Sequence, residues 1–420
     1  MGNTLKLRDI PSSNASRNDI ASFAMTFNGY KYHGSFDKCA NVASEVSEHF
    51  RKHNSYSDVS LDTLRTALFF HHRAIRHAEL TPNMQYVRKL LAAIRKRVAE
   101  MPNKHELPEL LEKELDKLAR KYCAFEKVDK STFQRCARIL QSLWREEQDY
   151  KIGEHKYRSV GRKLGSRLPM PWARETLANY LTDTIKSVVR YEVLDKSRSK
   201  GKLYGKPRIF NDLLSSQPLC FNLFGELHQD LNLASKVFEE LSQGIVEKVL
   251  RIEFEYSPGR SGPKYTGDKS AFDVYVEYIS SQKKVGFIGV EVKYHENLTG
   301  KESRYQPLHN RIAKKADCFR EEGFEELNNL PLQQIWRDHL LALSMLQAKD
   351  FEEGFFVFLY PELNNLCSDA VSEYKKHLKG NSHFQDWTLE QIACAIQKKT
   401  NAKWIEHLYD RYLNFQKIKQ

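Results

Sequence analysis

The apolar positions change period along the chain. From about residue 36 to 146 they recur at helical spacing. In 61–80, Leu61, Leu64, Leu68, Ile75 and Leu80 fall close to one face. Thr81-Pro82-Asn83 interrupts the pattern, and Val87, Leu90, Leu91, Ile94 and Val98 resume it, with Arg88, Lys89, Arg95, Lys96 and Arg97 on the other side. Two more helices are expected over 106–125 and 131–150, the second with Ser131 as its N-cap. Ahead of them, residues 1–35 are polar and rich in Asn and Ser, which reads as a flexible N-terminus. No fixed-period repeat is visible.

Residues 151–207 read as a basic connector carrying one helix, 173–194, with the Ser/Lys/Gly run 197–206 marking the domain boundary. From 208 the pattern becomes mixed. An amphipathic helix is expected over 221–243, with Leu223, Phe224, Leu227, Leu231, Ala234, Phe238 and Leu241 on its apolar face. Alternation then predicts strands over 249–257, 271–278 and 285–294, the last two joined by the short polar turn Ser280-Ser281-Gln282-Lys283-Lys284. A helical stretch (301–348), an apolar aromatic strand (354–363) and a mostly helical tail (366–420) complete an α/β domain over 208–420. It follows an all-α N-terminal region, 36–150, read as a helical basic domain.

Charge sharpens this division. The net charge is +12, and residues 1–200 hold 37 Lys and Arg against 24 Asp and Glu, whereas the remainder holds 29 against 30. A basic half beside a neutral half points to a polyanionic partner. No apolar run approaches the ~18 residues of a membrane helix. The start has no apolar core of a secretory signal, and Lys6 stands where myristoylation favours Ser or Thr. Seven cysteines (39, 123, 136, 220, 318, 367, 394) lack any C-x-x-C spacing, which suits a reducing, cytoplasmic compartment and disfavours a zinc site. His71, His72 and His77 miss the i, i+4 spacing of a zinc helix.

The candidate chemistry lies on the two strands of the hairpin. In 285–294, Ile288, Val290 and Val292 share one face, while Glu291 and Lys293 lie on the other. In 271–278, Phe272, Val274 and Val276 share a face, with Asp273 opposite. An antiparallel register that pairs Asp273 with Glu291, or is displaced by two, brings both acids to the same side, and an odd shift separates them. The even register is predicted. Two carboxylates suit Mg²⁺, with Mn²⁺ as a substitute, and the carbonyl of Val292 is a natural further ligand. Such a metal acidifies a bound water for attack on a phosphodiester. Lys293 could orient that water, stabilise the pentavalent charge, or accept a proton if the metal depresses its pKa. Arg260, Lys264 and Lys269, in the Gly/Pro loop before Asp273, suit tracking of a nucleic-acid backbone. His295 reads as a loop histidine, and Glu255 and Glu277 as solvent-facing strand residues.

Asp273, the following seventeen residues and Glu291-Val292-Lys293, on a strand–turn–strand pattern, resemble the PD-(D/E)XK nuclease superfamily, the restriction-endonuclease-like fold. The resemblance extends over roughly 208–360, and the string 215–227 followed by the two strands is similar to a bacterial subgroup. Phe272 stands where a proline often precedes the acid. The resemblance implies an acid on the helix before the sheet, for which Glu226 is the matching position. It also implies polar residues on the helix after the E-x-K strand, for which Gln334 and Arg337 are candidates for phosphate or metal-water contacts. It further implies an Mg²⁺-dependent endonuclease, with DNA expected ahead of RNA and a role in bacterial defence or restriction. The alternatives are an RNA or tRNA nuclease and a non-cleaving nucleic-acid-binding subunit. A homodimer and a companion protein bound through the N-terminal region fit the same picture.

Overall fold

The computed structural model describes residues 107–157, 161–300, 307–380 and 383–419, with isolated positions at 46, 48, 64, 67 and 68 and the short stretch 87–94. The expected flexible segment 1–35 and the basic positions Arg95, Lys96 and Arg97 lie outside the described residues. The chain divides into a unit over 1–103 and a unit over 104–420. In the first, 87–94 is helical, and Val87, Leu90, Leu91 and Ile94 are all buried, as their spacing predicts.

The second unit begins with α1 (Glu112–Lys121) and α2 (Thr132–Glu147). Ser131 caps α2: its hydroxyl accepts the Gln134 N–H at 3.1 Å, and the Gln134 side chain accepts the Ser131 N–H at 3.2 Å. This reciprocal pairing satisfies two N–H groups that a helix end otherwise leaves open. A two-residue ribbon (153–154 with 163–164) follows. The helix expected over 173–194 is broken. A short helical turn, Trp172–Thr176, ends at Leu177 in the left-handed region, and Thr182 then caps α3 (Asp183–Val189).

The helix expected over 221–243 is also two: α4 (Ser216–Gln229) and α5 (Leu231–Leu241). Between them Asp230 leaves helical geometry and its carboxylate accepts the N–H groups of Asn232 and Leu233. The sheet then forms from β1 (Val246–Tyr256), β2 (Phe272–Ser280) and β3 (Val285–Val292). Helices α6 (Pro307–Ala316) and α7 (Gln333–Gln347) lead to β4 (Glu353–Tyr360). Next come α8 (Asn365–Lys376), β5 (Phe384–Thr388), α9 (Leu389–Lys399) and α10 (Lys403–Tyr412). Sequence periodicity missed β5, a short strand at the edge of the sheet whose burial does not alternate.

The five strands lie in the order β1-β2-β3-β4-β5. The first three are antiparallel neighbours, and β4 and β5 join in parallel. One face, with Val274, Val276, Ile288, Val290, Val292 and Val357, packs on α4, α5, α9 and α10. The other, with Tyr275, Phe287, Phe356 and Phe358, packs on α6, α7 and α8. Phe272 departs from the expected alternation and joins this second face. Gly289 gives its ring a place: a Cβ on Gly289 would lie 2.4 Å from the ring.

The domain boundary expected at 207/208 is not where the structure divides. Leu115 and Ala119 of α1, Phe133, Ile139 and Leu140 of α2, and Leu177, Ile185 and Val193 all belong to the same core as the valines of the sheet. The segment read as a connector is therefore packed against the sheet. Helical spacing told that these helices bury a face, but not which core receives it.

Candidate active site

The ladder pairs Val274 with Val290 and Val276 with Ile288, so its next rung sets Asp273 across from Glu291. On the other side of β2, Phe254 pairs with Val274 and Tyr256 with Phe272, which sets Glu255 across from Asp273. Three carboxylates, Glu255, Asp273 and Glu291, thus form one row across three strands. At this end of the sheet Glu291 meets Gln334 of α7, while Cys220 of α4 feels the charges of all three acids.

Each acid of the hairpin is fixed through one oxygen. Asp273 Oδ2 accepts the Val292 N–H at 3.0 Å. Glu291 Oε1 accepts Lys293 Nζ at 2.6 Å and Gln334 Nε2 of α7 at 2.5 Å. Glu291 and Lys293 are buried, at 5% and 6% exposure. Burial pushes the carboxyls of Asp273 and Glu291 above the usual carboxylate range. For Asp273 the Glu291 charge adds to burial, while Lys293 and the Val292 N–H oppose it. For Glu291 the facing Lys293 opposes burial. Burial alone would lower the Lys293 pKa, but Glu291, Glu296 and Asp273 outweigh it and hold the ammonium above its ordinary value. Lys293 thus donates to Glu291 as an ammonium.

Beyond Lys293 the chain turns. Glu296 accepts the N–H groups of Tyr294 (2.8 Å) and His295 (3.0 Å). Burial opposes ionisation of Glu296, yet Lys293, the Tyr294 N–H and the Ser216 hydroxyl hold it below the usual range. His295 is a tether. Its Nε2 lies 3.0 Å from the buried Asp129, which Arg138 of α2 also grips, and Gln134 donates to the His295 carbonyl at 3.2 Å. Tyr294 is anchored in the same way: Asn364 donates to its carbonyl at 3.0 Å, and its hydroxyl donates to the Tyr412 carbonyl at 3.1 Å. The end of β3 is thus held from both sides of the sheet.

The structure brings together Asp273, Glu291, Lys293 and Gln334, with Val292 between the last strand acid and the lysine. Arg260 lies at the edge of this group, bonded to Glu255 at 2.6 Å. Arg337 grips Asp268 (2.8 and 3.0 Å) and Ser270, so it fixes the loop that leads into β2. Lys264 pairs instead with Asp350, near the start of β4, and is not part of the cluster. Glu226 is not part of it either. It lies ten residues, about 15 Å along the axis, from the end of α4 that reaches the site, and its carboxylate receives the hydroxyl of the α3 cap, Thr182. What α4 presents to the acids is Ser216 and Cys220, the latter pushed well up by burial and by the Asp273 and Glu291 charges. Sequence reading also misplaced Glu255 and gave no site role to Glu296 or Asp338. Glu255 sits at a positive φ of 51° after two register shifts in β1, which obscure its face. Asp338 follows Gln334 by one helical turn, a spacing that could have signalled it.

A mixed sheet flanked by helices, with opposed acids on adjacent antiparallel strands and a lysine two residues beyond the second, defines a restriction-endonuclease-like α/β domain. The chain belongs to the PD-(D/E)XK nuclease superfamily, whose family model matches residues 127–414. That match begins beside Asp129 and so includes the tether described above. No curated protein and no solved structure matches the chain. Among the described residues no helix is long and apolar enough to cross a membrane.

Proposed function

We propose that this protein is a divalent-metal-dependent endonuclease that hydrolyses phosphodiester bonds of DNA. The observation that carries the reading is the placement of Asp273, Glu291 and Lys293 at one buried spot at the end of the hairpin, beside Gln334 of α7. The donor set fits a hard divalent cation. Two acids stand opposite each other, each has one oxygen fixed by protein donors, and burial with like charge disfavours leaving both ionised without a counter-ion. Asp273, Glu291 and the Val292 carbonyl would hold Mg²⁺, or Mn²⁺ in its place. When bound, the ion supplies an acidified water and neutralises developing charge on phosphorus. Lys293, held as an ammonium, supplies a fixed positive donor to a phosphoryl oxygen or to the attacking water. Gln334 and Lys293 together keep Glu291 from rotating.

A basic path leads to this spot. Residues 195–208 hold six Lys and Arg against one Asp. Arg198 and Lys202 close on the fully buried Glu192 and shape the loop, while Lys196, Lys200 and Lys206 are exposed. The loop is joined to the site's edge, because Gly205 donates to Gln217 of α4 (2.8 Å) and the Tyr204 hydroxyl meets the Phe254 carbonyl next to Glu255 (3.5 Å). Exposed cations on a loop tied to the edge of the site suit sequence-independent contact with a phosphate backbone.

The test is cleavage of supercoiled plasmid, linear duplex and total RNA with Mg²⁺, Mn²⁺ or EDTA. Wild type is expected to cut DNA with either metal, and Asp273→Ala and Lys293→Ala to lose roughly 10²–10³-fold or more. Equal cutting by all three proteins removes the assignment, and cleavage confined to RNA replaces the substrate. A restriction or defence role follows if the enzyme spares host DNA while cutting invading DNA, which a phage-plating assay with wild type and Asp273→Ala measures.

A further inference from the structure

The helix that meets Glu291 carries one more acid, one of whose oxygens is buried without a hydrogen-bond partner. Asp338, on α7, is one turn beyond Gln334, the residue that grips Glu291. It is 5% exposed, and its Oδ2 is buried with no hydrogen-bond partner. Leaving a carboxylate oxygen buried and unpaired is costly, by several kcal/mol when the group is ionised. Its electrostatic neighbours are Glu291, Lys293, Asp273 and the adjacent Arg337. Burial and the Glu291 charge push its carboxyl well above the usual range. A side chain that gained only packing from this position would be better served by an amide or an apolar residue.

We infer that Asp338 is a further carboxylate of the divalent-cation site, holding a water of the ion's hydration shell from the helix while Asp273 and Glu291 hold the ion from the sheet. The inference rests on the metal-dependent reading above. Asp273, Glu291 and Asp338 are not a set whose oxygens all converge to within 4.8 Å, which suits Asp338 to an outer rather than a direct contact. An outer position is what Mg²⁺ chemistry favours, because that ion keeps several of its waters. Partners of the hydration shell typically change metal affinity by about 10–100-fold.

The experiment measures Mn²⁺ binding to the full chain by calorimetry and by loss of the free-ion electron paramagnetic resonance signal, with wild type, Asp338→Asn and Glu226→Gln. Thermal unfolding of each without metal accompanies it. The expected result is at least about tenfold weaker binding for Asp338→Asn, unchanged binding for Glu226→Gln, and a metal-free unfolding temperature for Asp338→Asn equal to or above wild type. Wild-type affinity in Asp338→Asn overturns the inference and leaves the metal-dependent reading standing. A clear drop in metal-free stability for Asp338→Asn also overturns it, because the carboxylate then has a structural role. Failure of the wild type itself to bind Mn²⁺ removes the underlying reading and this inference with it.

Discussion

Gly289→Ala is expected to damage the site without touching any acid or lysine. A Cβ at this position would lie 2.4, 2.5 and 2.6 Å from three carbons of the Phe272 ring. Ordinary carbon contacts begin near 3.5 Å, so the ring must retreat by about 1 Å. It has nowhere to go, being fully buried with Phe287 and Phe356 at centroid distances of 6.4 and 6.3 Å. Overpacking of this kind costs about 1–3 kcal/mol. Phe272 adjoins Asp273 in the chain, so the strain falls on the residue that opposes Glu291, and cleavage should fall with stability. Urea unfolding of Gly289→Ala, Phe272→Leu and the double variant forms a cycle. Phe272→Leu alone should cost about 1–2 kcal/mol of lost burial, yet the two changes together should cost about 1–2 kcal/mol less than their sum. Strictly additive costs, or an unperturbed Gly289→Ala protein with full activity, would refute the packing argument.

The remaining predictions concern charge. Burial pushes the Glu390 carboxyl up to about 7, opposed by the N–H groups of Glu362 and Glu390. Its folded form keeps a proton that the unfolded chain has lost between the ordinary carboxylate range and pH 7, so stability falls as pH rises through that window. Glu390→Gln should therefore raise stability at pH 8 by up to about 3 kcal/mol and change little at pH 4, read from urea midpoints; an equal effect at both pH values counts against it. Lys196→Ala, Lys200→Ala and Lys206→Ala combined should weaken duplex binding by metal-free Asp273→Ala protein. The slope of log affinity against log salt should fall by about 0.9 for each lysine that neutralises a phosphate, and an unchanged slope would show that the loop faces elsewhere. Arg411→Leu should cost about 2–4 kcal/mol by stranding its carbonyl and amide partners, since the buried guanidinium bonds Asn179 and Gln141 and lies 3.8 Å over Trp144. Thermal unfolding measures this, and a loss under 1 kcal/mol would argue against the network.

Strand alternation made the hairpin and the facing of Asp273 and Glu291 legible, because a period of two leaves few registers that bury the valines. The row of three acids was not legible. Glu255 lies beyond two irregularities in β1, and nothing local announces that β1 pairs with β2 so as to set it opposite Asp273. Glu226 misled for a related reason: its place on the right helix was visible, but not which end of that helix meets the strands. Asp338 lies one turn from Gln334 on the same helix, yet its value lies in what surrounds it, and burial of an oxygen without a partner is a property of the folded molecule. The role of residues 107–194 was hidden because amphipathic helices declare a buried face and not its destination.

The hold on His295 from Asp129, itself gripped by Arg138, and from Gln134 bears on how this gene can be cut into pieces. A fragment trimmed to start at residue 208 would encode every acid and the lysine, but would strip away the scaffolding that clasps the loop after β3 and leave a raw oily wall on α4 and α10. Such a piece should precipitate or bind substrate sloppily, whereas one starting near residue 104 keeps the clasp and is the shorter unit worth expressing.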